Sequence, residues 1–256
     1  MQRLRRLSGR RAARLEDGAF VVEGPTLVAS ALDAGLEVQE VFAVPGTDPA
    51  LLERCVRAGV AVHEVTADTL VRAVDTVTPQ GVAAIATRFE VTVEQAVAAA
   101  AAGPLAVVLV DVNDPGNAGT IVRSAEAAGA AAVLFCGSTV DPCNPKCVRA
   151  SAGALFHVPV ASGGDAVAVL ERLGEAGVQT AATVVRGGTP YDETDLTGPI
   201  ALVLGSEAHG LPAALSHHVG LQVTIPLAGR AESLNVAMAG AVLSFEAMRQ
   251  RRAAAR

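Results

Sequence analysis

Tryptophan is absent, tyrosine occurs once and phenylalanine six times in 256 residues. Large rings therefore cannot fill the core, which falls to Ala, Val and Leu, and no clear aromatic platform for stacking on bases is visible. Phe20, Phe42 and Phe89 fit a core as well as a contact surface. Cysteine is sparse too: Cys55, Cys136, Cys143 and Cys147 form no Cys-x-x-Cys pair. That argues against a zinc site and a disulfide framework, and leaves buried or reduced thiols. No run of about 18 uninterrupted apolar residues occurs, so no spanning helix is expected and the positive mean hydropathy reflects alanine. A strand followed by G-x-G-x-x-G is missing, and so is G-x-x-x-x-G-K-[ST]; dehydrogenase and P-loop readings lose their main support. The acidic, glycine-rich loop of the commonest methyltransferases is also missing.

Basic charge is scarce overall but concentrated. The net charge is −6, which excludes a protein covered in basic surface. Yet Arg3, Arg5, Arg6, Arg10, Arg11 and Arg14 crowd the start, and Arg249, Arg251, Arg252 and Arg256 the end. Two readings stay open: solvated, frayed termini, or an electrostatic footprint for a polyanion. A targeting signal is disfavoured, because Ser8-Gly9 and Glu16-Asp17 stand where an apolar core would be needed. The expected location is the cytoplasm.

What is present is an alternation of strands and helices. Strands are expected at FVVEG, VQEVFAV and VAVHEV, with helices from about Pro25 to Ala34, Pro49 to Ala58 and Asp68 to Val74. Gly35 and Gly59 stand at helix ends. A turn and closing strand follow in TPQGVAAIATRF. The segment EQAVAAAAAGP reads as an alanine-rich connector ended by Gly-Pro. The expected division is residues 1–92, a linker at 93–104, and 105–256. In the last part, strands are expected over Leu105 to Val112, Ala131 to Cys136, Phe156 to Val160, Val178 to Val184, Ile200 to Leu204 and Leu221 to Ile225. The fold class is α/β, a mostly parallel sheet flanked by helices, with a smaller α/β/α domain ahead of it.

Chemistry concentrates where strands end in polar loops. From Val107 to Ala130 an apolar run stops at an Asn/Asp/Pro/Gly turn and a small-residue helix starts at once. Ligands of open α/β sheets sit outside the strands' carboxyl ends, which makes Asn113, Asp114, Asn117 and Arg123 candidates. IALVLGSEAHGLP and LQVTIPLAGRAESLNVAMAGAV share this build. His209, His217 and His218 match no metal-ligand spacing and read as surface residues.

Three elements then carry a resemblance. N-x-G-x-x-x-R (Asn117, Gly119, Arg123), G-x-E-x-x-G (Gly205, Glu207, Gly210) and I-P-x-x-G-x-x-x-S-L-N-V (Ile225 to Val236) resemble, in order and spacing, the three motifs of the SpoU, or TrmH, family. FVVEGPTLVASALDAG is similar to the small ribosomal-protein-like substrate-binding domain of many members. The resemblance implies an RNA ribose 2′-O-methyltransferase that uses S-adenosyl-L-methionine, has a trefoil-knotted carboxyl-terminal domain and works as a homodimer. It also implies catalytic roles for Asn117, Arg123, Glu207, Ser233 and Asn235, and cofactor contacts at Leu204, Gly205, Ile225, Leu227 and Leu234. RNA contacts are expected from Arg10, Arg11 and Arg149, with ribosomal RNA favoured over transfer RNA, and neither DNA nor membrane as partner.

Local roles remain open beside these. Asn117 and Ser233 are each placed to cap a following helix. Glycine at 205 suits a backbone that meets a ligand closely. A guanidinium stays protonated in proteins, so Arg123 is expected to stabilise the developing alkoxide or grip a phosphate rather than act as a base. A non-catalytic RNA-binding protein of the same fold and a small-molecule enzyme with a nucleotide cofactor are the rival readings.

Overall fold

The computed structural model describes all residues except 75, 77–79 and 256. The turn expected at Thr78 and Pro79, and Arg256 of the terminal arginine cluster, lie outside the described residues. The described chain forms two compact units: Met1–Phe89 with Cys143–His157, and Glu90–Pro142 with Val158–Arg256. Among the described residues no helix is long and apolar enough to cross a membrane.

In the first unit, helices α1 (Gln2–Gly9) and α2 (Arg11–Asp17) precede β1 (Ala19–Glu23), α3 (Pro25–Asp33), β2 (Val38–Ala43), α4 (Pro49–Arg57), β3 (Ala61–Glu64), α5 (Ala67–Val71) and β4 (Val82–Thr87). The sheet order is β1-β4-β2-β3; β4 is antiparallel to β1 and β2, and β3 is parallel to β2. Gly35 and Gly59 follow α3 and α4 at φ +71 and +77, the left-handed conformation that ends a helix without a Cβ penalty.

The amino-terminal arginines do not sit on a frayed end. Leu4 and Leu7 of α1 are fully buried among Val21, Phe42, Leu70 and Ile85. Arg3 binds Asp17 at 2.7 Å and Glu40 at 3.0 Å, Arg6 binds Asp17 at 2.8 Å, and Arg14 donates to the Leu7 carbonyl at 2.8 Å. The sequence hid these helices because Arg10, extended at φ −126, breaks the apolar period after eight residues. Arg5, Arg10 and Arg11 remain exposed.

Hydrogen bonding by Arg3, then Arg6, holds the Asp17 carboxyl below the usual carboxylate range. A depressed folded-state pKa contributes stability above the unfolded value, and that stability is lost as pH falls through the folded one. Asp17→Asn should therefore lower stability at pH 7 by up to about 1 kcal/mol. The gap to wild type should narrow as pH drops from about 5 toward 3. Urea unfolding across that range checks this; a gap independent of pH would refute the ionic origin.

The segment Cys143–His157 joins this unit through its own packing. Helix α8 (Pro145–Ser151; α6 and α7 precede it in the second unit) contacts β1, and Phe156 packs 6.1 Å from Phe20 and 5.8 Å from Phe89 between ring centroids. Phe20, Phe42 and Phe89 are thus core side chains or their neighbours: Phe20 and Phe42 are buried, and Phe89 half-buried stacks edge-on to Phe20. This packing corrects one expected strand. Ala154–Phe156 is a 3-10 turn, and the strand begins only at Val160.

The second unit contains α6 (Val93–Ala102), β5 (Leu105–Val110), α7 (Pro115–Ala127), β6 (Ala132–Cys136), β7 (Val160–Ser162), α9 (Ala166–Glu175), β8 (Gln179–Thr183), β9 (Thr189–Pro190), β10 (Ile200–Leu204), β11 (Leu221–Thr224) and α10 (Val236–Ala254). The alanine-rich segment expected as a connector is α6. A capping box between Thr92 and Gln95 starts it, and Ala96, Val97 and Ala100 are buried in this unit's core. The sheet order is β7-β6-β5-β10-β8-β11-β9, parallel throughout. β5, β6 and β10 are buried along their whole length, as parallel strands covered on both faces must be, which is why LAVVLV and IALVL read as unbroken apolar runs. All four cysteines are buried and none is in a disulfide; burial pushes the Cys136 thiol up to about 12.

Strand order creates the crevice. From β5 the chain builds outward through β6 to β7, and the later strands fill the other side, with β10 directly beside β5. The loops after β5 and β10 therefore lie side by side at the same sheet edge, at a topological switch point.

Candidate functional site

A cleft of about 660 Å³ opens at that edge. It is lined by the loops after β10 (Gly205 to Gly210), β8 (Thr183 to Arg186) and β11 (Ile225 and Leu227), by Glu232 to Asn235, and by the first turns of α10. The expected contacts Gly205, Ile225, Leu227 and Leu234 all line it. Leu204 does not: it is fully buried, and a Cβ on Gly240 of α10 would lie 2.8 Å from its Cδ1. Leu204 is thus packed under the last helix rather than open to a ligand.

Glycine at 205 has a different cause from the one expected. A Cβ there would fall 2.4 Å from the Gly210 carbonyl carbon and 2.5 Å from the Leu211 nitrogen. The chain crosses itself at this point, so the glycine is required by the loop's own backbone before any ligand arrives. Ser206 and Gly210 form a bridge that holds the crossing, with the Gly210 N–H donating to the Ser206 carbonyl at 2.8 Å. The result is a tight backbone ring, and Gly205 to Gly210 line the cleft.

The polar candidates meet in a directed hydrogen-bond chain. Asn235 caps α10, its Oδ1 accepting from the N–H groups of Ala237 at 2.9 Å and Met238 at 3.3 Å. That fixes its amide, so Nδ2 donates to Asn117 Oδ1 at 3.1 Å. Asn117 must then present Nδ2, which donates to Glu207 Oε1 at 2.8 Å. Three loops separated by 90 and 118 positions are tied by two side-chain bonds. Every donor in the chain points toward the carboxylate, so the α10 amino terminus and two amides form one polarised path that ends on Glu207.

This arrangement corrects both capping expectations. Helix α7 is capped by Asp114, whose Oδ1 accepts from the Asn117 N–H at 2.8 Å, and Asn113 donates back to the Asp111 carbonyl at 3.0 Å. Asn113 and Asp114 therefore shape the turn, and Asn117 is left to reach across. Ser233 is two residues ahead of the α10 cap; it is exposed and lines the cleft.

Arg123 stands apart. It is exposed on α7, with no ion pair among the described residues, and is not among the residues lining the cleft. Six residues after Asn117, it sits about 120° away around the helix at 3.6 residues per turn. Arg149 donates to the buried Glu23 carboxylate at 3.0 Å within the first unit, which commits its guanidinium to the fold. The sequence also passed over Thr183, Val184, Val185 and Arg186. The available signal was the run QTAATVV stopping at Arg-Gly-Gly, the same strand-to-loop break that marks the other three loops. His209 is exposed and lines the cleft, while His218 lies 3.4 Å from Glu171.

A cleft formed by several loops, with a glycine crossing and with Ile225, Leu227 and Leu234 lining it beside Glu207, Ser233 and Asn235, suits a flat, partly apolar nucleoside ligand. Comparisons with known proteins agree with this chemistry. The profile described as the SpoU rRNA Methylase family matches residues 104–245, and that of the MRM3-like substrate binding domain matches residues 1–84. The chain is 34% identical over 233 residues to the 23S rRNA (guanosine(2553)-2′-O)-methyltransferase RlmP of Bacillus subtilis, covering 91% of this chain and 89% of that protein. The crystal structure of an AdoMet-bound rRNA methyltransferase from Sinorhizobium meliloti is similar at TM-score 0.85 and 33% identity, over 97% of this chain and 93% of that one. The SpoU methyltransferase AviRb from Streptomyces viridochromogenes, in complex with AdoMet, is similar at TM-score 0.88 and 27% identity, over 98% of each chain.

Proposed function

The chain belongs to the SpoU rRNA methylase family, and from that premise we propose that it methylates a ribose 2′-hydroxyl of large-subunit ribosomal RNA with S-adenosylmethionine. The observation that carries this is the Asn235–Asn117–Glu207 chain at the lip of the three-loop cleft. It joins one residue from each motif at a place where a nucleoside cofactor fits and a ribose can approach.

When bound, S-adenosylmethionine would supply a methyl group already activated on its sulfonium, whose electrons return to sulfur as the methyl passes to the ribose oxygen and the hydroxyl proton leaves to phosphate or water. The residues of this chain then have little covalent work. Gly205, Ile225, Leu227 and Leu234 hold the cofactor, with Leu204 supporting Gly205 from beneath. Glu207 offers a fixed negative charge beside a cationic cofactor, and Asn117 and Asn235 keep that charge in place. Ser233 and Asn235, on the loop ahead of α10, orient the ribose. Arg123 stabilises the oxygen as it loses its proton, since a guanidinium donates hydrogen bonds and accepts none. Alignment of this kind can supply about 7–11 kcal/mol of a barrier.

Because Arg123 does not line its own chain's cleft, the reading includes a homodimer in which it serves the partner's site. An exposed apolar stripe on α10 supports this: Met238, Val242 and Phe245, spaced four and three residues apart, are 51%, 37% and 43% exposed. Phe245→Asp should shift the mass in solution from dimer to monomer and reduce methyl transfer at least tenfold, as one charge placed in an apolar interface strongly disfavours it. A fully active monomer would refute the shared site.

Residues 1–92 are the RNA-selecting part in this reading, with Arg10 and Arg11 exposed for phosphate contacts, and 105–256 the methyl-transferring part behind the 93–104 segment. A trefoil knot is included; the backbone crossing at Gly205 and the return of α10 onto α7 and β10 support it. The cytoplasm, where free thiols stay reduced, fits the four buried cysteines. Incubation with methyl-labelled S-adenosylmethionine and separate pools of unmodified ribosomal and transfer RNA tests the function. Label should appear at one alkali-resistant linkage in large-subunit ribosomal RNA. Label in transfer RNA alone would move the substrate, and cofactor binding without label in any RNA would favour a non-catalytic role.

A further inference from the structure

Three arginines of the second unit are spent on the fold. Arg172 pairs with Glu94, Arg249 with Glu246 at 2.7 Å, and Arg251 donates to the carbonyls of Pro104, Thr197 and Gly198. Burial lowers the Arg251 pKa, and its three carbonyl contacts compensate for that burial. Arg123 and Arg252 stand exposed on α7 and α10, and two more arginines stand near the cleft. Arg186 and Arg230 are exposed and form no ion pair or hydrogen bond among the described residues, although Glu207 and Glu232 are close by in sequence or across the cleft. Their loops leave neighbouring parallel strands, β8 and β11, at the same sheet edge. The two strand ends are bound together: the Val184 N–H donates to the Val223 carbonyl at 2.9 Å, and Thr224 Oγ1 to the Val185 carbonyl at 3.1 Å. Arg186 lines the cleft and Arg230 lies two residues before the cleft residue Glu232, both on loops that leave these joined strand ends, on a protein whose net charge is −6.

Resting on the function proposed above, we propose that Arg186 and Arg230 clamp the phosphate backbone of the substrate RNA at the mouth of the cofactor cleft. The cofactor itself is a net cation, matched by the carboxylates of Glu207 and Glu232 inside the cleft. Exposed arginines at its rim have the opposite sign, which suits a polyanion arriving from solvent. A guanidinium grips phosphate oxygens in pairs and carries no base preference, so the clamp fixes the register of the strand while other parts select the sequence. It lies along the rim from β5, where Asn117 stands, so the strand is held beyond the reacting ribose and drawn across the cleft.

The test uses the full-length protein and an in vitro transcript of bacterial large-subunit ribosomal RNA. For Arg186→Gln with Arg230→Gln, KM for the RNA should rise about tenfold, and the slope of log affinity against log salt should flatten by about 1.5, close to one phosphate contact per arginine. The Kd for S-adenosylmethionine should stay within about twofold, and lysine at both positions should restore most of the RNA affinity, since a point charge still attracts phosphate. An unchanged salt slope would overturn the clamp. A cofactor Kd raised tenfold with unaltered RNA affinity would overturn it too, and would assign Arg186 to the cofactor's carboxylate. Failure of the unsubstituted protein to bind S-adenosylmethionine at all would refute the function itself, a different result from either.

Discussion

Arg123→Ala should slow single-turnover methyl transfer by about 10²–10³-fold, the cost of removing one preorganised donor from a developing oxyanion. Binding of S-adenosylmethionine should stay unchanged, because Arg123 is exposed on α7 and does not line the cleft. Arg123→Lys should recover only part of the rate: the charge survives, but the planar fork that addresses two oxygens at once is gone. Near-normal turnover with lysine would mean that charge alone matters.

Mixing variants decides which chain's arginine acts. If Arg123 serves the partner's cleft, Arg123→Ala mixed with Ser233→Ala yields heterodimers holding one intact site of two. Random reassortment into a two-fold dimer then restores about a quarter of wild-type activity from two inactive proteins. If Arg123 serves its own cleft, every site in the mixture lacks one group and nothing is restored.

Gly205→Ala should abolish the cofactor site. The added Cβ would meet backbone atoms of Gly210 and Leu211 at 2.4–2.6 Å, with no flexible side chain to give way. The crossing must open, at a cost of about 1–3 kcal/mol typical of overpacking. For a unit of this size that corresponds to a Tm lower by roughly 3–10 °C. The loss of affinity should be larger in proportion, because the residues displaced are those that line the cleft: Kd for S-adenosylmethionine should rise at least a hundredfold, measured by calorimetry. Gly174→Ala is the control. No atom lies within 4 Å of its Cβ position in α9, so alanine should leave Tm unchanged or slightly raised. Tight cofactor binding by Gly205→Ala would show that the loop relaxes freely, and the backbone crossing would lose its explanatory role.

The motif residues were legible because each lies a few positions from an apolar run that stops abruptly. Asn117, Glu207 and Asn235 could be named from β5, β10 and the start of α10 without knowing how these elements pack. Their mutual contact could not. Hydrogen bonds between residues 90 and 118 apart depend on β10 entering the sheet beside β5, a non-local pairing that no window of sequence encodes. The same distinction explains the caps. Asn, Asp and Ser all cap helices well, so propensity left Asn117 and Ser233 eligible; only backbone geometry gave those tasks to Asp114 and Asn235.

The sequence alone determined the α/β class, the strands of the parallel sheet apart from the shifted Val160 strand and the unforeseen β9, three of the four loops where chemistry gathers and, through its three motifs, the family. Those features are local: apolar periodicity, a break at Gly, Asn or Pro, and fixed spacing along one stretch of chain. The tertiary structure decided which loops meet, why position 205 must be glycine, that Cys143–His157 packs with the first unit, and which arginines remain unspent. Each of these depends on surfaces brought together from distant parts of the chain, where strand order and the exclusion of overlapping atoms, rather than residue preference, select the outcome.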